Sequence, residues 1–170
     1  MKYAYYPGCS LKSSGRAYEE SLLKLFAALE IELEELDDWN CCGATAYMSV
    51  DETSAAALAT RNLALAEKSG LPLAVPCAGC FGVLRKAGHL QKDYPKIREQ
   101  VGRGLKAAGL EYQGTADVRH PLQILAQDFG AKAIRAKVKK PLKGLKVACY
   151  YGCKLVRPEA PFDDPYDPQT

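Results

Sequence analysis

The stretch Leu71-Pro72-Leu73-Ala74-Val75-Pro76-Cys77-Ala78-Gly79-Cys80 is the most informative about architecture. A short apolar run closed by a proline reads as a buried strand, and the residues after it open a helix. The first N–H groups of a helix lack intrahelical partners and its dipole is positive at that end, so thiolates placed there are stabilised. A CxxC pair on a strand-to-helix turn is therefore a place for metal or redox chemistry, and alone it does not say which.

Upstream, Asp51 to Ser69 is a run of strong helix formers, with Asp51 as cap and Gly70 as stop. Before it, Ile31 to Leu36 alternates apolar and acidic residues as a short strand, and it leads through Asp37-Asp38-Trp39-Asn40 into Cys41-Cys42-Gly43, a loop. Ser13 and Ser14 are placed to cap a helix over 15–29, whose apolar face carries Tyr18, Leu22, Leu25, Phe26 and Leu29. The chain begins with a tyrosine-rich strand, Lys2 to Tyr6, that ends at Pro7-Gly8 and presents Cys9. Strands alternating with helices predict an α/β fold with a mainly parallel sheet flanked by helices, the cysteine site lying at the carboxyl ends of strands.

Downstream, helices are expected over about 95–106 and 121–128, then a strand from Leu145 to Tyr150 ending at Gly152-Cys153. Tyr3-Ala4-Tyr5-Tyr6-Pro7-Gly8-Cys9-Ser10-Leu11 and Val147-Ala148-Cys149-Tyr150-Tyr151-Gly152-Cys153-Lys154-Leu155 both place Gly-Cys-x-Leu after a strand, which marks a repeat beginning again. The division is a domain over 1–140 and, over 141–170, the start of a second repeat with a Pro/Asp-rich tail.

The 170 residues carry a net charge of +3, too little to point to nucleic acid, although seven Lys and Arg gather between Lys132 and Lys146 with no acid among them. That run reads as a solvated connector or a docking face for an acidic partner. No segment approaches the roughly 18 apolar residues of a membrane span, and no leader pattern opens the chain. The expectation is a cytoplasmic protein without a membrane span, in a reducing compartment where seven cysteines stay available as thiolates.

Thirty-one residues separate Cys9 from Cys41, thirty-four separate Cys42 from Cys77, and two separate Cys77 from Cys80. Five thiolates from three loops exceed the four ligands of a tetrahedral zinc, and the adjacent pair Cys41-Cys42 can reach different irons because consecutive side chains diverge. The spacing favours a multi-iron cluster over zinc, with a thioredoxin-like redox pair at Cys77 and Cys80 left open.

Cys9, the triplet Cys41-Cys42-Gly43 and Cys77-Ala78-Gly79-Cys80 together resemble the cysteine-rich CCG domain. That domain occurs in the B-type chain of heterodisulfide reductases, in glycolate oxidase and lactate-utilisation proteins, and in an unusual class of succinate dehydrogenases, usually twice per chain. The resemblance runs from residue 1 to about 157 and looks nearest to the heterodisulfide reductase B type, of which this is the N-terminal half with one complete motif.

The resemblance implies a noncubane 4Fe-4S cluster held by Cys9, Cys41, Cys42, Cys77 and Cys80, with Cys153 as first ligand of an incomplete second site. It implies a catalytic B-type subunit of a heterodisulfide-reductase-like complex, cleaving or forming a small disulfide with a ferredoxin-like C-type subunit and a flavoprotein A-type subunit as partners. Two other readings stand beside it: an electron-transfer subunit of a 2-hydroxy-acid (glycolate or lactate) or succinate oxidoreductase, and a zinc-bound interaction module. Two departures from the family pattern are a gap between Cys42 and Cys77 about one residue short and Tyr150 where a histidine is frequent.

Outside the motif, Cys149 reads as a small buried hydrophobe in a strand. His89 and His120 lack ligand spacing to any cysteine and read as surface or capping residues, His120 being the one placed to approach the cluster. Trp39 and Tyr47 flank the cysteine pair as packing or as a screen against water. Gly43, Gly79 and Gly82 serve turns or close approach to an inorganic core.

Overall fold

The structure is a computed structural model that describes residues 1–44, 46–150, 152 and 155; Cys153, Tyr151 and the tail beyond 155 lie outside the described residues, as does the side chain of Tyr47. Among the described residues four strands, β1 (Lys2–Tyr5), β2 (Glu32–Glu35), β3 (Leu73–Ala74) and β4 (Val118–Arg119), form one sheet in the order β2-β1-β3-β4. Every pairing is parallel.

Side chains of β1 alternate across the sheet. Ala4 and Tyr6 face a core shared with α3 (Glu52–Ser69) and α4 (Ala78–Asp93), through Ala59, Leu63, Phe81 and Leu84. Tyr3 and Tyr5 face the opposite core, with Leu22 and Phe26 of α2 (Arg16–Ala28) and Ile124. The sheet is thus buried on both faces, as parallel sheets require. A satellite cluster of Ala56, Leu90, Val101 and Leu105 seats α5 (Pro95–Ala107) on α3 and α4.

The terminators of α3 are those its sequence announces. Asp51 accepts the Ser54 N–H at 2.9 Å, and Gly70 leaves the helix in the left-handed conformation at φ +69°. Cys77 is the N-cap of α4, as expected, and α5 begins at a proline.

Several expectations are corrected. Cys9 sits in a one-turn helix, α1 (Gly8–Leu11), and the Ser13 hydroxyl donates back to the Cys9 carbonyl at 2.9 Å instead of capping α2, whose cap is Gly15. Tyr18 and Leu25 lie on one flank of the α2 stripe and are 45% and 42% exposed; the buried residue on the other flank is Glu19, which accepts the Tyr5 hydroxyl at 3.1 Å. β4 escapes sequence reading because two residues carry no alternation: it is a strand through main-chain bonds, Leu73 N–H to Asp117 O and Val75 N–H to Arg119 O, both 2.8 Å.

The helix expected over 121–128 is a short α6 (Pro121–Gln123) running into a π-helical stretch, Ile124–Gly130, and then α7 (Ala131–Lys137). The first part of the basic run is therefore helical rather than a connector. Residues 145–150 form no strand, and Cys149 is exposed, not buried. A strand needs a neighbour for its ladder and a face for its alternate side chains, and Leu145 and Val147 have neither, at 61% and 73% exposed.

Candidate metal centre

The three cysteine groups follow three adjacent strands of the sheet. Cys9 follows β1, Cys41 and Cys42 follow β2, and Cys77 and Cys80 follow β3, so all five gather at its carboxyl edge. The chain leaves β1 toward β2 and leaves β3 toward β4, and the crevice where neighbouring strands diverge in this way is where open α/β sheets bind ligands.

Contacts among the thiols link the groups. The Sγ atoms of Cys42 and Cys80 stand 3.3 Å apart. The Cys80 thiol also has Cys77 as a neighbour, and Cys41 has Cys9 and Cys42. Cys42 and Cys80 share a proton: the bond from Cys80, with the Ala44 N–H also on its sulfur, draws the Cys42 thiol down to about 7 against the opposing cost of burial, and the Cys80 thiol is pushed far up by its neighbours Cys42 and Cys77. Cys41 receives the Gly43 N–H on its sulfur, which favours the thiolate, but burial and the nearby Cys42 and Cys9 raise it overall. Crowded thiols that cannot all ionise together in the bare chain are the arrangement a multivalent cation resolves.

The backbone comes very close to the thiols at one glycine and turns sharply at another. Gly8 has φ +69°, and a Cβ on it would stand 2.9 Å from the Cys80 Sγ and 3.4 Å from the Tyr6 ring. Gly43 is left-handed at φ +83°, turning the chain directly after the cysteine pair. At Gly79 a Cβ would meet the Cys77 Sγ only at 3.8 Å, ordinary contact, so the need for glycine in the CxxC turn is weaker than the sequence implied.

Residues around the thiols hold the loops. Fully buried Tyr6 packs edge-on against Trp39 at 5.4 Å and donates its hydroxyl to the Asn40 carbonyl at 2.7 Å. Burial and the thiols of Cys42, Cys80, Cys41 and Cys9 keep that hydroxyl protonated. Trp39 also places its indole N–H on Glu35 at 3.1 Å. His120 caps α6, accepting the Leu122 N–H at 3.2 Å, while its Nε2 lies 3.1 Å from the Pro76 carbonyl and its ring meets Phe81 edge-on at 5.4 Å. It supports the turn ahead of Cys77 and adds no nitrogen to the thiol set. Tyr6, Asn40 and Gly8 were missed by sequence reasoning, although Tyr6-Pro7-Gly8 adjoining the first cysteine was the available signal.

The donor set is all sulfur. Among the described residues no three Cys, His, Asp or Glu side chains are arranged around a single ion; the thiols stand instead as a linked row. A soft, five-thiol row fits an iron-sulfur group, which Cys9, Cys41, Cys42, Cys77 and Cys80 would hold.

Fold and site define a cysteine-rich α/β domain with its thiols gathered at the sheet edge. Residues 3–85, which contain all five cysteines, match the CCG cysteine-rich domain. It is 36% identical over 159 residues to the 8-methylmenaquinol:fumarate reductase membrane anchor subunit of Wolinella succinogenes, a match covering 93% of this chain and 54% of that protein. It is 34% identical over 175 residues to a protein of Archaeoglobus profundus named as like the B-type chain of heterodisulfide reductase, covering 100% of this chain and 58% of that one. To the B-type chain of the ferredoxin/F(420)H(2)-dependent CoB-CoM heterodisulfide reductase of Methanosarcina acetivorans it is 33% identical over 158 residues, covering 92% and 52%. The chain spans about half the length of these relatives. These relatives carry the names of reductase subunits or of proteins like them; no helix among the described residues is long and apolar enough to cross a membrane.

Proposed function

We propose that the chain is the cluster-bearing, B-type part of a heterodisulfide-reductase-like complex, with a noncubane 4Fe-4S cluster on Cys9, Cys41, Cys42, Cys77 and Cys80. The observation that carries this is the convergence of five thiols from three strand ends, Cys42 and Cys80 at 3.3 Å, inside the segment that matches the CCG domain. When bound, such a cluster supplies one-electron redox chemistry and iron sites with affinity for sulfur. The chain's own part is to present the thiolates, to keep Tyr6 protonated beneath them and to hold two loops by bonds to the Asn40 and Pro76 carbonyls.

The substrate in this reading is a small disulfide or the thiols it yields, and the partners are a ferredoxin-like C-type subunit and a flavoprotein A-type subunit in the cytoplasm. Cleaving an S–S bond with single electrons calls for two one-electron donors near it, which act as acceptors when the bond is formed instead. This chain supplies one complete motif, and Cys153, in the region 141–170 read as the start of a second repeat, is the candidate for the other. Activity therefore belongs to the assembled complex.

The similarity to a fumarate reductase subunit favours a second reading, in which the same cluster relays electrons in a succinate- or fumarate-linked oxidoreductase and touches no substrate. Anaerobic purification with iron, sulfide and zinc quantification and electron paramagnetic resonance tests the site. About four irons and four sulfides support it, and stoichiometric zinc without sulfide overturns it in favour of a zinc-bound interaction module. Disulfide reduction by the chain with its partner subunits then separates the first reading from the second.

A further inference from the structure

We propose that Asn62, on α3, is the positioning residue of the cysteine-pair loop, fixing the direction in which Cys41 and Cys42 leave the sheet by clamping the backbone of Asn40. Asn62 is fully buried. Its Oδ1 accepts the Asn40 N–H at 3.0 Å and its Nδ2 donates to the Asn40 carbonyl at 3.0 Å, a two-bond pairing of side-chain amide with peptide, while Nδ2 also reaches Leu58 O at 3.3 Å.

The clamped residue has no polar group left to move. The Asn40 carbonyl takes the Tyr6 hydroxyl as well, its Nδ2 donates to Cys41 O at 2.8 Å and Leu58 O at 3.0 Å, and its Oδ1 accepts Arg61 Nη1 at 3.0 Å. Asp38, two residues back, is held at φ +54° with its carbonyl bonded to Arg61 at 2.6 Å. Such a left-handed non-glycine residue is disfavoured and persists where surroundings over-determine it. α3 thus holds the loop at two consecutive positions, 61 and 62.

None of these bonds involves sulfur, so they operate whichever metal the thiols hold. That makes Asn62 a device for preorganisation: with Asn40 fixed, Cys42 starts within 3.3 Å of Cys80 across 38 residues of sequence. Pairs held in this way react or chelate with a large effective concentration, which is lost when one partner is free to swing. The inference deepens the cluster reading, yet it concerns geometry that the metal-free chain already has.

The test uses the full chain stripped of metal and a competition inside the site. The Cys80 thiol contacts Cys42 on the clamped loop and Cys77 on its own turn. Limiting diamide takes two electrons and two protons from a thiol pair, forming the disulfide and the corresponding hydrazine, and peptide mapping gives the ratio of Cys42–Cys80 to Cys77–Cys80 bridges. Asn62→Leu should shift that ratio at least fivefold toward Cys77–Cys80. Thr60→Val, which removes a buried hydroxyl bonded within α3 at Ala56 O, should leave it within twofold of the parent.

A general loss of stability would move both variants together; the clamp moves only the first. An unchanged ratio in Asn62→Leu overturns the proposal, as does an equal shift in Thr60→Val. Should Asn62→Leu fail to fold, Tyr6→Phe keeps the ring and removes one bond to Asn40 O, and a shift in the same direction of about twofold is required. Because no iron is present, a chain found to hold zinc would leave this outcome as it stands, so failure of the clamp and failure of the cluster reading are told apart.

Discussion

Gly8 and Gly70 form a natural matched pair, because both adopt φ +69° and only one has anything beside it. An alanine at either position must hold the left-handed conformation, at a cost of about 1 kcal/mol, and for a chain of this size each such kcal/mol lowers Tm by roughly 2–4 °C. At Gly70 that is the whole effect, since no atom lies within 4 Å of the added Cβ. At Gly8 the new methyl stands 2.9 Å from the Cys80 Sγ, where carbon neighbours ordinarily keep roughly 3.5–4 Å, so the sulfur must retreat by about half an ångström or more. Overpacking of that kind adds about 1–3 kcal/mol, which brings Gly8→Ala to a total of about 2–4 kcal/mol and a Tm loss at least twice that of Gly70→Ala. Since the retreating atom is a proposed ligand, Gly8→Ala should also take up less than half the parent's iron on anaerobic reconstitution, and Gly70→Ala the full amount. Calorimetry and iron per chain on the two proteins decide the matter. Full iron in Gly8→Ala with a Tm equal to that of Gly70→Ala would refute the packing of Gly8 against the site.

Cys41→Ser should abolish or disturb the paramagnetic signal and lower bound iron, while Cys149→Ser, at an exposed position outside the proposed ligand set, should change neither; equal losses in both would remove the distinction. Phe81→Ala empties a fully buried ring position between His120 and the Arg85 guanidinium and should cost about 3–5 kcal/mol in urea unfolding, with a loss below 1 kcal/mol counting against the packing described. Burial holds His120 down at about 4 from its ordinary 6.5, so between those values the unfolded chain binds a proton that the folded chain refuses; this contribution to stability is complete above about pH 6.5 and falls by roughly 3 kcal/mol as the pH drops to about 4. Urea melts of His120→Gln should show a shallower fall over that interval than the parent, and parallel curves would exclude the assignment.

The sequence was most legible where local chemistry and tertiary demand coincide. Asp51 and Gly70 delimit α3 because the cap and the left-handed stop are properties of those residues themselves. The parallel sheet was legible because apolar runs alternate with helix formers, and the gathering of five cysteines at its edge because each group falls past a strand. What could not be read depended on partners far along the chain. β4 exists only through bonds to β3, and the Tyr18 hydroxyl, expected in the core, instead reaches Pro76 O at 3.5 Å across 58 residues. Leu145 to Tyr150 has a strand's composition and no strand's surroundings, which is why composition misled there.

The supports of the site share a design that follows from burying thiols. A sulfur that binds metal gives up its S–H proton, so a hydrogen bond the thiol donates cannot hold the loop once metal is bound. The fold therefore grips the cysteine loops by their peptide oxygens: Tyr6 and Asn62 at Asn40, and His120 at Pro76, each one residue before the first cysteine of its group. These grips come from β1, α3 and the turn after β4, elements already fixed by the cores on both faces of the sheet. Rigidity is thus delivered to the sulfurs from outside the sulfur set. Replacing a cysteine should for that reason empty the site while leaving the fold nearly intact, whereas replacing Asn62 should disturb the thiols while leaving all five in place.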